Sequence, residues 1–444
     1  MTTVTIIGAG STVFAAELVT DFLLTPGLPE GEFRLVDLDP VRLDLAHRYA
    51  EHLVARAGRD WTVRSATDRR ELLAGSDVVI STIEVAGLAT VDHDYEIPLR
   101  YGVDQCIGDT IGPGGLFKAF RTVPSVLAIL ADVEALCPDA LVLNHTNPMS
   151  ITVEAAARSG SVPMWGMCHS VHYTVEQLAE YLGRQPGDLR FRAAGVNHLA
   201  WLTELADGDG DLYPALRRAG AVPEIRAQDP VRFELMDQLG AFPTESSGHV
   251  SEYVPWFRTH PELVASWAGT DYRGESGFYA KNWPDWRRDN DAQLEAVLAG
   301  GEELPFERGG EYPSHIVEAM TSGEPTTIYV STPNLGWVDN LHQGRVVEVA
   351  ARVDRDGIHP EPFGSLPEHL ASLVRRHQEV NELAVTSLLE QDREAAVHAL
   401  MLDPLTSAAC EIGRIREMFD EMVAAQAEHL PDYLVAGTPG VGAS

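Results

Sequence analysis

The feature that most constrains this chain is its opening, Val4 to Val13 (VTIIGAGSTV), where a short β-branched run ends on glycine and passes into a helical pattern. A helix that starts this abruptly presents unpaired backbone amides, and Gly8, Gly10 and Ser11 leave room for a ligand to approach them. Amides and helix dipole together favour a pyrophosphate. Val13 stands where the dinucleotide fingerprint has its third glycine, a departure that is tolerable if Val13 packs under the helix. Asp37 follows Gly8 by 29 residues, at the end of the next apolar run. There it would accept ribose hydroxyls, which favours NAD over its phosphorylated form.

The pattern repeats along the first half. Phe33 to Asp37, Asp77 to Thr82 and Ala140 to Asn144 read as buried parallel strands, with helices over Pro40 to Arg56 and Phe120 to Leu136. Pro163 to Met167 and Phe191 to Val196 read as the last strands of this half. The prediction is an α/β fold, a Rossmann-like doubly wound parallel sheet, over residues 1–197, with Thr82 joining Gly8, Gly10, Ser11 and Asp37 in the cofactor site. Beyond about Leu205 the texture changes to glycine, proline and acidic loops, then strand-like Thr326 to Ser331 and Val346 to Val353. A largely helical tail from Pro367 to about Ala425, broken near Pro404, follows. Residues 198–444 are expected to form an α+β domain for substrate binding and oligomerisation, with Gly437 to Ser444 a frayed end.

Charge narrows the partners. The formal net charge of −33 repels nucleic acid and anionic membrane surfaces. Ser125 to Leu136 is interrupted by Asp132 and Glu134 and is too short to span a bilayer, and no signal peptide precedes the first strand. Cys106, Cys137, Cys168 and Cys410 form no CxxC pair, so the expectation is a reduced, cytoplasmic protein.

Cys168 and His198 end predicted strands on the edge of the sheet where ligands gather. Thiolate and imidazole suit a divalent transition ion, and two protein ligands leave positions open for substrate. The same pair is also explained as a buried small hydrophobe and a core histidine, and His145, His169 and His172 lie near enough to alter the ligand set. Asp104 to Lys118 (DQCIGDTIGPGGLFK) reads as a glycine-rich loop that shapes a cleft. Asn144 to Ser150 (NHTNPMS) reads as a helix cap after a strand, and Tyr253 as an aromatic in a packed cluster.

Taken together, VTIIGAGS, IGDTIGPGG, NHTNPMS, GMCHSV, GVNHLAW and TESSGHVSEYVPWF resemble family 4 glycoside hydrolases, NAD- and manganese-dependent enzymes related in fold to lactate and malate dehydrogenases. The resemblance implies that Cys168 and His198 hold the metal, that Asn147 contacts sugar hydroxyls, and that Tyr253 is the base. Asp109 falls where the family carries an acidic residue. The tetrapeptide Cys168-His169-Ser170-Val171 looks like that of the α-galactosidase (melibiase) subgroup. Phospho-glycosidases carry aspartate or asparagine after the cysteine, so His169 argues against a 6-phospho sugar. CHEV would have implied an α-glucosidase, and CHG an α-glucuronidase or α-galacturonidase. With no aspartate at 169, either His169 or Asp109 is the candidate acid.

The implied reaction begins with hydride transfer from sugar C3 to NAD, which acidifies C2; Tyr253 takes the C2 proton, elimination expels the aglycone, and water and hydride then return. A hydroxy-acid dehydrogenase on the same fold is the other enzymatic reading, and a non-catalytic sugar or nucleotide sensor a third. A homodimer or homotetramer is expected, acting on a small-molecule glycoside, with no nucleic-acid or membrane partner.

Overall fold

The computed structural model describes residues 1–160 and 162–436, and the expected frayed end at Gly437 to Ser444 lies outside them. Its first half is built from β1 (Thr2–Ile7), α1 (Thr12–Leu24), β2 (Glu30–Val36), α2 (Pro40–Ala57), β3 (Asp60–Ala66) and β4 (Val78–Ser81). There follow α3 (Gly87–Arg100), α4 (Gly112–Leu136), β5 (Leu141–Asn144), α5 (Met149–Ser159), β6 (Met164–Met167), α6 (Ser170–Leu182) and β7 (Arg190–Val196). β1 to β6 are parallel in the order β3-β2-β1-β4-β5-β6, the doubly wound arrangement expected from the sequence.

Past β6 the sheet changes character. β11 (Thr326–Pro333) pairs antiparallel with β6, then β12 (Val346–Asp354), β7, β8 (Leu199–Asp207) and β10 (Phe242–Pro243) complete the row. The short β9 (Gly210–Asp211) and β13 (Gly357–Pro360) pair with β8 and β12. Strands on both sides of residue 197 therefore share one sheet, with β11 and β12 inserted between β6 and β7. The predicted helical tail is a set of helices, Glu368–Glu390, Arg393–Leu402, Pro404–Ala409 and Ile412–Gln426, and Pro404 opens the third. Several of them pack on α3, α4 and α5 through Val380, Ala384, Met418 and Phe419.

Local chemistry explains the elements. Asp39 caps α2 by accepting from the amides of Val41 and Arg42, Pro40 occupies the first turn, and Gly58 closes the helix with φ +61°. β3, which carries no long apolar run, is an edge strand whose only fully buried side chain is Trp61. The glycine-rich segment ending at Lys118 is a loop only to Ile111: Gly112 to Lys118 already belongs to the 25-residue α4. Its glycines serve close packing, since a Cβ on Gly114 would lie 2.3 Å from the Gly108 carbonyl oxygen and one on Gly115 2.3 Å from the Thr110 carbonyl carbon. Among the described residues no helix is long and apolar enough to cross a membrane.

The core beneath the cofactor half centres on Phe33, fully buried and stacked on Trp61 with ring centroids 4.3 Å apart. Phe33→Ala is expected to cost about 3–5 kcal/mol through lost contacts and the cavity left behind. A thermal-unfolding midpoint several degrees lower, against no change for the exposed Arg288→Ala, checks this.

Candidate active site

The turn after β1 forms one wall of a cleft of about 420 Å³. Gly8 has φ +95°, and a Cβ there would fall 2.7 Å from the Thr82 carbonyl, so glycine is required by both backbone and packing. Ser11 occupies the N-cap of α1 but its side chain makes no capping bond, which leaves the first amides open to a ligand. Asp37 lines the cleft, its Oδ2 accepting from the Gly10 amide at 2.7 Å and its Oδ1 from the Asp39 amide at 2.9 Å. Gly8, Gly10, Ser11, Asp37, Thr82 and Asn147 all line this one space. The opposite wall is the aromatic start of the helix Phe278–Leu298, with Trp283 and Trp286 facing the cleft. Val13 does not pack under the helix: it is 40% exposed and borders the cleft, because α1 meets the sheet through Ala15, Leu18 and Val19 instead.

A second group forms beyond the carboxyl ends of β6 and β7. Cys168 follows β6, and His198 sits in the β7–β8 turn with φ +64°. Their Sγ and Nε2 lie 3.5 Å apart. Glu245, also at positive φ (+73°), brings Oε2 to 3.7 Å from His198 Nε2. The ligand atoms of Cys168, His198 and Glu245 lie within 4.8 Å of one another, the one such group of His, Cys, Asp and Glu among the described residues. Two non-glycine residues in the left-handed region at one site mark backbone held against its preference for the sake of side-chain placement. His198 Nδ1 lies 3.4 Å from Thr110 Oγ1, a contact that orients the ring with Nε2 toward the other ligands.

The donor set fits a divalent ion. Burial lowers His198 to about 4, against the pull of Glu245, so the imidazole is in its neutral, ligating form. Burial opposes ionisation of Glu245, but His198 and His249 outweigh it and hold the carboxyl well below its usual range. The Cys168 thiol is pushed up by burial, then by Glu348 and Glu245. A cation at the centre of the three would reverse that push and stabilise the thiolate. His145 and His172 stay outside the group: His145 packs on Phe14, and His172 bonds the Tyr312 hydroxyl.

Asp109 joins the two regions. Its Oδ2 accepts from Asn147 Nδ2 at 3.2 Å and lies 3.7 Å from Lys118 Nζ, which pairs with Glu84 at 2.6 Å. Its Oδ1 accepts from Thr110 Oγ1 at 2.7 Å and lies 3.5 Å from His249 Nε2. Burial alone would raise Asp109, yet Lys118, His249 and His198 hold it at about 2. Asp109 is thus held as an anion here. His169 is different: its side chain is 55% exposed, and its Nδ1 lies 2.7 Å from Glu311 Oε1, a bond that raises its affinity for a proton.

Tyr253 is buried, and its phenol oxygen has no partner of hydrogen-bond geometry. Its ring lies 5.8 Å from that of His249, which is itself 4.5 Å from His198. Burial, Asp109, Glu245 and Glu252 all push the phenol well above 10.

Glu245 and His249 were not assigned roles from sequence. Their spacing in TESSGHVSEY, a carboxylate and a histidine four apart, is the signal that could have found them: Glu245 Oε1 and His249 Nδ1 are 3.7 Å apart across the short helix Ser247–Val250. His249 is raised to about 9, burial being outweighed by Glu245 and Asp109. The Lys118–Glu84 pair was equally silent in the sequence.

Residues 3–184 match the model of the family 4 glycosyl hydrolases, and residues 193–406 that of the family 4 glycosyl hydrolase C-terminal domain. The chain is 39% identical over 440 residues to an α-galactosidase of Bacillus subtilis (strain 168), covering 98% of this chain and 100% of that protein. It is 34% identical to an α-galactosidase of Rhizobium meliloti (strain 1021), covering 97% and 89%. In fold it resembles a 6-phospho-α-glucosidase from gut microorganisms, solved in complex with NAD and Mn²⁺, with a TM-score of 0.81 at 21% identity and coverage of 97% and 99%.

Glu245→Ala removes one of three ligand atoms, and binding of Mn²⁺ is expected to weaken at least about tenfold. Manganese titration followed by electron paramagnetic resonance reads this directly, and Glu311→Gln, which touches none of the three, is expected to leave the affinity as it was.

Proposed function

The chain belongs to glycosyl hydrolase family 4, and on that premise we propose that it cleaves unphosphorylated α-galactosides with NAD and a manganese ion as cofactors. The observation that carries this reading is the meeting of Cys168, His198 and Glu245 next to Asp109, whose partner Asn147 lines the dinucleotide cleft. When bound, NAD supplies a hydride acceptor and donor for sugar C3, and manganese polarises the neighbouring sugar oxygens. Gly8, Gly10 and Ser11 would seat the pyrophosphate, while Asp37 and Thr82 border its nucleoside portions.

The protein's own residues then divide the work. Asn147 and the ionised Asp109 accept and donate at sugar hydroxyls, and Lys118 keeps Asp109 charged. Tyr253 takes the proton from C2. A phenol held so far above neutrality is a poor base, so the positive charge of a filled metal site and of His249 has to offset the carboxylates around it. The acid for the leaving-group oxygen is His169, which is exposed and steadied by Glu311, whereas Asp109 is held ionised. Substrate class follows from charge as well as from Cys168-His169-Ser170-Val171. Lys118, the lysine beside the site, is already paired with Glu84 and Asp109, so it is not free for a sugar phosphate.

In deuterated water the galactose released is expected to carry deuterium at C2, and product labelled nowhere would rule out proton abstraction there. Enzyme stripped of dinucleotide is expected to lose nearly all hydrolysis of p-nitrophenyl α-galactoside and to regain it when NAD is restored. Tyr253→Phe is expected to lower turnover at least about a hundredfold, in the range of a lost general base, with NAD affinity unchanged by calorimetry.

A further inference from the structure

Glu245 does not reach the metal group by its own backbone preference. Its φ of +73° is costly for a residue with a side chain and persists only where the surroundings fix it. Part of that hold comes from the residue before it. The Thr244 amide donates to the Ala200 carbonyl at 2.8 Å, and Thr244 Oγ1 accepts from the Ala200 amide at 3.1 Å, which ties the segment to β8, the strand that follows His198. The Glu245 amide itself donates to Thr174 Oγ1 at 3.2 Å, on α6, the helix that follows Cys168.

Behind Thr174 lies Arg232, wholly buried on the helix Pro230–Leu239. Its Nη1 donates to the same Thr174 Oγ1 at 3.2 Å. Its Nε donates to Asp229 Oδ1 at 2.8 Å, and its Nη2 donates to Asp229 Oδ2 and Gln177 Oε1. Ser247, two residues past Glu245, closes the network: its Oγ donates to Asp229 Oδ1 at 3.1 Å and accepts from the Arg232 amide at 3.3 Å. One guanidinium thus grips α6 through Thr174 and Gln177, and the segment around Glu245 through Thr174, Asp229 and Ser247.

A buried arginine–carboxylate pair is weak evidence of stability, because the desolvation of two charges offsets most of their attraction. What it does supply is direction, since the planar fork fixes several acceptors at once. The Phe242 ring, its centroid 4.9 Å from the guanidinium carbon, lies against that fork. Resting on the reading of Cys168, His198 and Glu245 as metal ligands, we propose that Arg232, acting through Thr174 and Ser247, is a positioning residue that aims the Glu245 carboxylate at the metal and so sets the affinity of the site for a divalent ion. It hydrogen-bonds to no ligand side chain. Its bonds run instead to the helix that follows one ligand and to the backbone segment that carries another.

Thr174→Val removes the shared acceptor and keeps the shape of the side chain, whereas Thr174→Ser keeps the hydroxyl. In manganese titrations followed by electron paramagnetic resonance, Thr174→Val and Arg232→Lys are each expected to weaken Mn²⁺ binding about tenfold, the scale of a lost supporting bond at a metal ligand. Thr174→Ser is expected to keep the wild-type affinity, and NAD affinity by calorimetry to be unchanged in all three. A double-mutant cycle separates positioning from general loosening: on the Glu245→Ala background, which already lacks the carboxylate, Thr174→Val is expected to weaken Mn²⁺ binding no further. Lower thermal stability of Thr174→Val with Mn²⁺ affinity intact would overturn the proposal, as would an effect that adds in full to that of Glu245→Ala. Wild-type affinity in Glu245→Ala would overturn the ligand set on which the proposal rests. The contrast of Thr174→Val with Thr174→Ser decides the matter even where Arg232→Lys does not fold.

Discussion

The site rests on one balance, the confinement of Asp109, Glu245 and Glu84 in a region largely withdrawn from water, answered chiefly by the charges of Lys118 and His249. A buried carboxylate stays ionised only when cations or hydrogen bonds offset its lost hydration. Lys118 does this for Asp109 and partly offsets the rise that burial gives Glu84, and His249 bridges Asp109 and Glu245. His198 is left neutral, with Nε2 near both Cys168 Sγ and Glu245 Oε2. One negative group, the Cys168 sulfur, is thus destabilised until a divalent ion arrives. Burial and the nearby carboxylates disfavour the thiolate, and a cation held beside it would favour it.

Geometry for this balance comes from the change of direction in the sheet. Six parallel strands place Cys168 at the carboxyl end of β6, the usual ligand-binding edge. β7 and β8 form a hairpin that presents His198 from its turn, and β11 and β12 fill the space between the two. Across this arrangement Cys168 Sγ and His198 Nε2 come to 3.5 Å of each other. The antiparallel insertion holds β6 and β7 in one frame while each keeps a free end.

Much of this was legible in the chain, and the boundary of legibility is physical. β1, β2, β4 and β5 are buried on both faces and so read as continuous apolar runs, as parallel strands do. Cys168 and His198 could be singled out because each closes such a run. β3 could not, since an edge strand needs only one buried side chain, Trp61, to be anchored. The start of α4 was read as loop because Gly112, Gly114 and Gly115 look like turn residues; they are there for the close approach of Gly108 and Thr110, a tertiary demand that leaves no periodic trace. Glu245 and His249 were hidden for a related reason. His249 lies on a four-residue helix too short for any pattern and Glu245 just ahead of it, and their meaning depends on Asp109 and His198, which are distant in sequence.

Electrostatics also separates the two sides of His169. Toward Cys168 the chain offers a soft sulfur, a neutral imidazole and one ionised carboxylate, a set that gains from a doubly charged ion. Toward Glu311 it offers five carboxylates beside neutral groups such as Asn290 and Gln293, with Glu17 and Asp21 lifted by burial and by Glu311. The charge of the whole chain, at −33, repels anionic sugars and leaves neutral ones free to approach.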